Sequence, residues 1–413
     1  EAPEFRIEEL DAVIVSHAHL DHTGFLPYLF KYGYRGPVYC TEPTRDVMSL
    51  MLLDFVKIMV SSGEDPIFTS EEIKQMVMHT VTLNYEEVTD ITPDVRITMY
   101  NAGHILGSSM VHIHIGNGLH NLLYTGDIKY GKTRLLDPAA TRFPRLETLM
   151  IEGTYGARDA VLPPIHETEQ QFIDIITDTI NTRKGKVLIP VLGVGRAQEV
   201  MLIVEEMIRK KQIPDVPVYI DGMVWDVTAI HTAYPEYLNS AVRKKIFHEN
   251  ENPFLSPVFK RVGSKKERTQ LIEEGAPCII LATSGMLQGG ASVEYLKELA
   301  EDKRHSMIFV SYQGAGTLGR RIQNGERDLA ISLYGGKAAN VSLKLAIHTV
   351  EGLSGHSDRK ELMNFVRRLN PQPKKVLIGH GEQSRCLDLA SSIYKSYRME
   401  TVAPRNLDSI RIK

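Results

Sequence analysis

His17, His19, Asp21 and His22, in the run His17-Ala-His19-Leu-Asp21-His22, put three imidazoles and a carboxylate within six residues. Neutral imidazole and carboxylate are ligand types that suit zinc, and a loop that alternates them can face ligands to different sides. A pair of metal ions is therefore plausible from this loop alone. A His-rich surface loop, or two satisfied core histidines, is the competing reading; it suits a lone histidine better than four ligand-type residues at this spacing. The apolar run Ala12-Val-Ile-Val-Ser16 lies directly upstream. It predicts a buried strand whose C-terminal end carries the cluster, where open α/β folds usually place their chemistry. Downstream, Phe25, Leu26, Leu29 and Phe30 share one helical face, Pro27 fits a first turn and Gly33 fits a C-terminal cap. The helix N-terminus would then lie beside the metals.

The run resembles the signature of the metallo-β-lactamase superfamily, His-x-His-x-Asp-His. That resemblance implies further ligands downstream. His104, in Asn101-Ala-Gly-His-Ile-Leu-Gly-Ser, matches the third motif, and Asp127, in Leu123-Tyr-Thr-Gly-Asp-Ile, the fourth. Glycine beside each lets the backbone approach a metal closely. By analogy His17, His19 and His104 hold one zinc, Asp21 and His22 the other, and Asp127 bridges them.

The chain beyond Asp127 decides the subfamily. Roughly two hundred residues, a domain-sized gap, intervene before the next good histidine candidate. The gap opens after Glu152, in Leu149-Met-Ile-Glu-Gly-Thr-Tyr, and closes before Leu353-Ser-Gly-His356-Ser-Asp358 and Val376-Leu-Ile-Gly-His380-Gly-Glu382. These resemble motifs A, B and C of the β-CASP nucleases, whose RNA-directed branch has histidine in motif C, as His380 here. The resemblance covers essentially the whole chain and is closest to the archaeal cleavage and polyadenylation specificity factor group. Thr283-Ser-Gly-Met-Leu-Gln-Gly-Gly290, Gly314-Ala-Gly-Thr-Leu-Gly-Arg-Arg321 and Ala403-Pro-Arg-Asn-Leu-Asp all look like that group. One departure is expected to matter. The superfamily's first motif, an aspartate upstream of the His cluster, has no room in the sixteen residues before His17. The N-terminal part of the fold, and the RNA-binding KH domains that precede it in the group, are therefore expected to be missing.

The implied fold is α/β: a metallo-β-lactamase αββα sandwich with an inserted Rossmann-like β-CASP domain. Residues 1–156 would form the first part, 157–345 the insertion, and 346–413 the return segment with a C-terminal tail. Periodicity agrees. Strand-like runs at Val95–Tyr100 and Val111–Ile115 alternate with helical ones in the first part, and His112 and His114 read as strand residues on one face. Lys186–Pro190, Val216–Ile220, Cys278–Ala282 and Ser306–Val310 are strand-like runs separated by helical ones, which predicts a mostly parallel sheet.

The chain has 413 residues, 43% hydrophobic and 24% charged, enough for more than one core. Cys40, Cys278 and Cys386 are widely spaced, which argues against a disulfide framework and a structural zinc finger. With no long apolar stretch and no signal-like start, neither membrane span nor export is indicated, and a cytoplasmic location is expected. A formal net charge of −3 does not announce a nucleic-acid binder, so any basic surface must be local.

Gly314-x-Gly316-x-x-Gly319 has dinucleotide-fingerprint spacing, but Ile331–Asn340, where its acidic partner would fall, has no acidic residue. With Arg320 and Arg321 next in the chain, the glycines better suit an anion site for substrate phosphates. Arg196 and Ser284, each beside glycine, invite the same reading, so Arg196, Ser284, Gly316, Arg320 and Ser354 are the substrate-binding candidates. A tight turn capping a helix is the plain alternative.

The resemblance implies a zinc-dependent endoribonuclease that cleaves single-stranded RNA by two-metal hydroxide attack on the phosphodiester. Its setting would be RNA 3′-end processing or transcription termination, in contact with the transcription machinery. His356, oriented by Glu152, is the candidate general acid; Asp21 is counted with the catalytic residues; His380 completes the second zinc's ligands. The C-terminal tail, Val402–Lys413, is expected at a two-fold homodimer interface. A 5′-to-3′ exonuclease of the same family and a non-catalytic RNA-binding scaffold are the rival readings.

Overall fold

A computed structural model describes residues 5–331 and 339–412. The chain divides into two compact units, Glu1–Val161 with Gly355–Lys413, and Leu162–Ser354.

The first unit is built on two sheets. Seven strands run in the order Glu400–Val402, Lys375–Gly379, Thr148–Glu152, His120–Tyr124, Ser109–Ile115, Val95–Asn101 and Val88–Thr92. Pairing is parallel from Glu400–Val402 through His120–Tyr124 and antiparallel beyond it. Three parallel strands, Val13–Ile14, Val38–Cys40 and Thr80–Thr82, form the second sheet. Ile97, Met99 and Val111 of the large sheet are buried against Ile14 and Tyr39 of the small one. On the large sheet's other face, Leu362, Phe365 and Val366, at helical spacing, join Leu389 and Ile393 in one core. Each such side chain contributes on the order of 2 kcal/mol by leaving water. The order of layers is helix, sheet, sheet, helix.

Three local devices deliver chain to the site. Thr41 caps the helix Glu42–Ser61, and its hydroxyl donates to the Gly107 carbonyl at 2.7 Å, fixing the turn after His104. Asp358 and Glu361 form a capping box that starts the helix Arg359–Arg368 directly after His356. Where one helix was expected after the His cluster there are two short ones, Leu20–Thr23, which itself carries Asp21 and His22, and Leu26–Lys31, which follows the cluster. Phe25 sits between them and is exposed, so the apolar face consists of Leu26, Leu29 and Phe30. The strand before the cluster is shorter than Ala12–Ser16, and its two residues are half-buried.

The second unit carries six parallel strands in the order Phe259–Val262, Val218–Asp221, Ile279–Ala282, Val187–Pro190, Ser306–Phe309 and Ala346–Thr349. Val187–Pro190, Ile279–Ala282 and Ser306–Phe309 are buried throughout, as strands covered on both faces must be. Ala346–Thr349 pairs with Ser306–Phe309 and so completes this sheet; the unit runs to Ser354, beyond the expected break at 345. Hydrogen bonding to a distant strand decides membership there, which local punctuation does not register. Most of Ile331–Asn340, where the glycine fingerprint's acidic partner was sought, lies outside the described residues.

Candidate metal centre

His17 leaves the end of the strand Val13–Ile14, His19 caps the helix Leu20–Thr23, and Asp21 and His22 sit on that helix. His104 lies in the turn after Val95–Asn101, Asp127 after His120–Tyr124, Glu152 at the end of Thr148–Glu152, and His380 after Lys375–Gly379. Parallel neighbours thus deliver Asp127, Glu152 and His380 at one edge of the large sheet.

Two of these positions demand glycine beside them. Gly103 has φ +69°, and a Cβ there would stand 2.5 Å from the Lys129 carbonyl oxygen. Gly126 has φ +53°, with the Ser16 hydroxyl 2.7 Å from where its Cβ would be. His380 itself adopts φ +49°, a conformation unusual for a residue with a Cβ.

Asp127 is the common neighbour. Its Oδ2 lies 3.5 Å from Nε2 of His17, 3.5 Å from Nε2 of His22 and 3.6 Å from Nε2 of His104. Its Oδ1 lies 3.2 Å from Nδ1 of His380. The donor atoms fall into overlapping groups: His17, His19, His104 and Asp127; Asp21, His22 and His380; and Asp127, Glu152 and His380. Within each group the ligand atoms lie within 4.8 Å of one another.

The donor set fits metal ions. His17 Nε2, His19 Nε2 and Asp127 Oδ1 are buried with no hydrogen-bond partner among the described residues. Ring nitrogens also face each other: His104 Nε2 and His19 Nδ1 at 3.0 Å, His22 Nε2 and His380 Nε2 at 3.1 Å. Leaving buried polar atoms unpaired costs about 1–3 kcal/mol each, so an arrangement of this kind calls for a shared cation. Burial lowers the pKa values of His17 and His104 and brings that of His19 to about 3, which keeps their lone pairs available. Burial opposes ionisation of Asp127, but the neighbouring His17 and His22 rings outweigh it and hold the carboxylate well below its usual range. Asp21 behaves likewise, burial being overcome chiefly by the His380 ring. The bond to Asp21 pushes His380 up to about 9, against burial.

Glu152 and His356 form a pair beside this cluster. The Glu152 carboxylate accepts from the Ile128 N–H at 2.7 Å and from Nδ1 of His356 at 2.9 Å. A carboxylate only accepts, so Nδ1 of His356 carries a proton. Burial disfavours the imidazolium, yet the Glu152 charge and bond raise its pKa overall.

The five substrate-binding candidates all belong to the second unit. Arg196, Ser284, Gly316 and Arg320 come after three adjacent parallel strands at their carboxyl ends, an edge suited to ligands. Arg196 is buried, and its guanidinium donates to the Leu353 carbonyl, so it secures the chain next to Ser354. Ser284 accepts from the Gln288 N–H at 2.9 Å. Gly316 has φ +82°, and the Arg320 guanidinium lies 5.3 Å from the Tyr312 ring centroid. His112 and His114 have structural partners, the Arg145 carbonyl for His112 and Thr98 and Asn121 for His114. Sequence reasoning passed over Ser16, whose hydroxyl lies 3.1 Å from Nδ1 of His17, and Lys129 and Ser357, which flank Asp127 and His356. Adjacency in sequence to His17 and to His356 was the available signal for Ser16 and Ser357; Lys129 carried none.

Profiles of three families match the chain: Metallo-beta-lactamase superfamily domain over residues 2–150, Beta-Casp domain over 197–322, and Zn-dependent metallo-hydrolase RNA specificity domain over 340–404. The whole chain is 55% identical to transcription termination factor FttA of Methanocaldococcus jannaschii and 53% identical to that of Thermococcus kodakarensis. It spans 65% and 64% of those proteins' lengths. Among solved structures, a protein of unknown function from Enterococcus faecalis V583 is similar over 95% of this chain and 79% of its own. The TM-score there is 0.54 at 15% identity, a likeness of fold alone.

Proposed function

The chain belongs to the β-CASP family of the metallo-β-lactamase superfamily, and from that premise we propose that it is a two-zinc endoribonuclease acting on single-stranded RNA. The observation that carries this reading is Asp127, placed between two histidine-rich donor groups and 4.0 Å from Nδ1 of a Glu152-paired His356. The RNA specificity domain matched over 340–404 includes both His356 and His380 and supports RNA as the substrate.

His17, His19 and His104 would hold one ion, Asp21, His22 and His380 the other, and Asp127 both. When bound, the pair supplies Lewis acidity to the phosphodiester oxygens and an attacking hydroxide at neutral pH. The chain's own residues do the rest. Glu152 keeps Nδ1 of His356 protonated and the ring oriented, and His356, partly exposed, gives a proton to the departing 3′-oxygen. Products would carry 5′-phosphate and 3′-hydroxyl ends. The name of the relatives supports a place in transcription termination, in the cytoplasm and with the transcription machinery as partner. A homodimer formed through the C-terminal tail belongs to the same reading.

Zinc analysis together with cleavage of 5′-labelled and internally labelled single-stranded RNA tests this. Two zincs per chain and chelator-sensitive internal cuts are expected. Processive trimming from the 5′ end would make it an exonuclease, and a zinc-free, inert protein a scaffold.

A further inference from the structure

The backbone that carries His356 is tied at three consecutive residues to the elements that carry metal ligands. The Gly355 carbonyl accepts from Nδ1 of His104 at 2.7 Å. The His356 carbonyl accepts from the Lys129 ammonium at 3.1 Å. The Ser357 N–H and hydroxyl both donate to the Ile128 carbonyl, at 2.8 and 3.1 Å, and the hydroxyl accepts from the Tyr130 N–H at 2.9 Å. Asp127–Tyr130 therefore does three jobs: it presents Asp127, it holds Glu152 through the Ile128 N–H, and it grips the peptide of His356.

Lys129 is the costly member. It is 5% exposed, and its ammonium is paired with the Glu361 carboxylate at 2.8 Å. A buried ammonium costs several kcal/mol in desolvation, and an apolar residue of the same length would fill the space more cheaply. The ammonium adds a directed bond to the carbonyl of His356, with Glu361 in turn fixed by the capping box of Asp358.

We propose that Lys129 and Ser357 are positioning residues for His356, clamping its backbone to the Asp127 segment so that the imidazole meets the leaving oxygen of a substrate held at the Asp127 cluster. The inference rests on the proposed role of His356 as proton donor. A shift of about 1 Å in such a group costs about 10²-fold in rate, so losing one clamp point should be visible.

Lys129→Met and Ser357→Ala test it, with Lys129→Met/Glu361→Gln as the form that leaves no unpaired half-buried carboxylate should the first prove unstable. Each is compared with His356→Ala on RNA and on an aryl phosphodiester, whose leaving group needs no proton. The clamp variants should keep wild-type zinc content and RNA affinity. They should slow RNA cleavage about 10- to 100-fold in the rate at saturating substrate, and barely affect the aryl ester. Combined with His356→Ala, they should add little further loss, since both remove one function. Equal loss on the two substrates, full additivity with His356→Ala, or wild-type rates would overturn the clamp. Should His356→Ala itself slow both substrates alike, the proton-donor reading falls and takes the clamp with it. Should only the clamp variants lack leaving-group dependence, the reading stands and the clamp alone falls.

Discussion

Nδ1 of His104 lies 2.7 Å from the carbonyl oxygen of Gly355, one residue before His356. A carbonyl only accepts, so the proton sits on Nδ1 and the lone pair of Nε2 faces Asp127. One bond thus sets the tautomer of a candidate ligand and anchors the segment of the proposed acid.

Asp127→Ala should lower zinc content and abolish RNA cleavage together, because its two oxygens face both donor groups. Retention of two zincs per chain in that variant would remove Asp127 from its bridging role.

Gly103→Ala should act on the same centre from behind. The added methyl meets the Lys129 carbonyl in a backbone conformation that disfavours any Cβ. A stability loss of about 1–3 kcal/mol, with weaker zinc retention, is expected by thermal melting and metal analysis. A wild-type melting temperature and zinc content would show that the turn can relax.

His231 gives a pH dependence outside the metal centre. It is fully buried, its Nδ1 bonded to the Val227 carbonyl, and burial lowers its pKa to about 4. Since the folded pKa is depressed below the unfolded value near 6.5, its neutral form is favoured by the fold above pH 6.5. Below that the unfolded chain takes up the proton first, and stability is lost progressively toward pH 4, by on the order of 3 kcal/mol in total. Urea unfolding of wild type and His231→Phe between pH 7 and 4.5 should show a flatter curve for the variant. Parallel curves would assign the acid sensitivity to other groups.

The donor cluster His17, His19, Asp21 and His22 was legible because its chemistry is local, four ligand-type residues in one short loop, whereas His104 and Asp127 were singled out through the family resemblance. Glu152, His356 and His380 needed the family resemblance as well, since nothing in their own neighbourhoods says that distant segments of the chain bring them together. The unit boundary after Ser354 and the burial of Arg196 were illegible for a related reason: each depends on a partner remote in sequence, Ser306–Phe309 for one and the Leu353 carbonyl for the other. Lys129 reads from sequence as one more surface lysine, and only its enclosure by His356 and Glu361 gives it a role.

In the C-terminal segment Leu407 is 74% exposed, while the Lys375 ammonium donates to the Arg411 carbonyl at 2.9 Å. An exposed apolar side chain on an anchored tail suits an isologous contact, which uses one patch twice. Light scattering should give a dimer for the intact chain and a monomer once residues 405–413 are deleted. The same mass for both would take the tail out of the interface.

The most direct test of the two-metal reading is the chemistry of the cut ends. Internally labelled single-stranded RNA, incubated with and without chelator, should yield fragments with 5′-phosphate and 3′-hydroxyl termini, and only when metal is retained. Fragments ending in 2′,3′-cyclic phosphate would mean that the RNA's own 2′-hydroxyl is the nucleophile, and cleavage that survives removal of the metal would mean that no metal is needed; either result would contradict it.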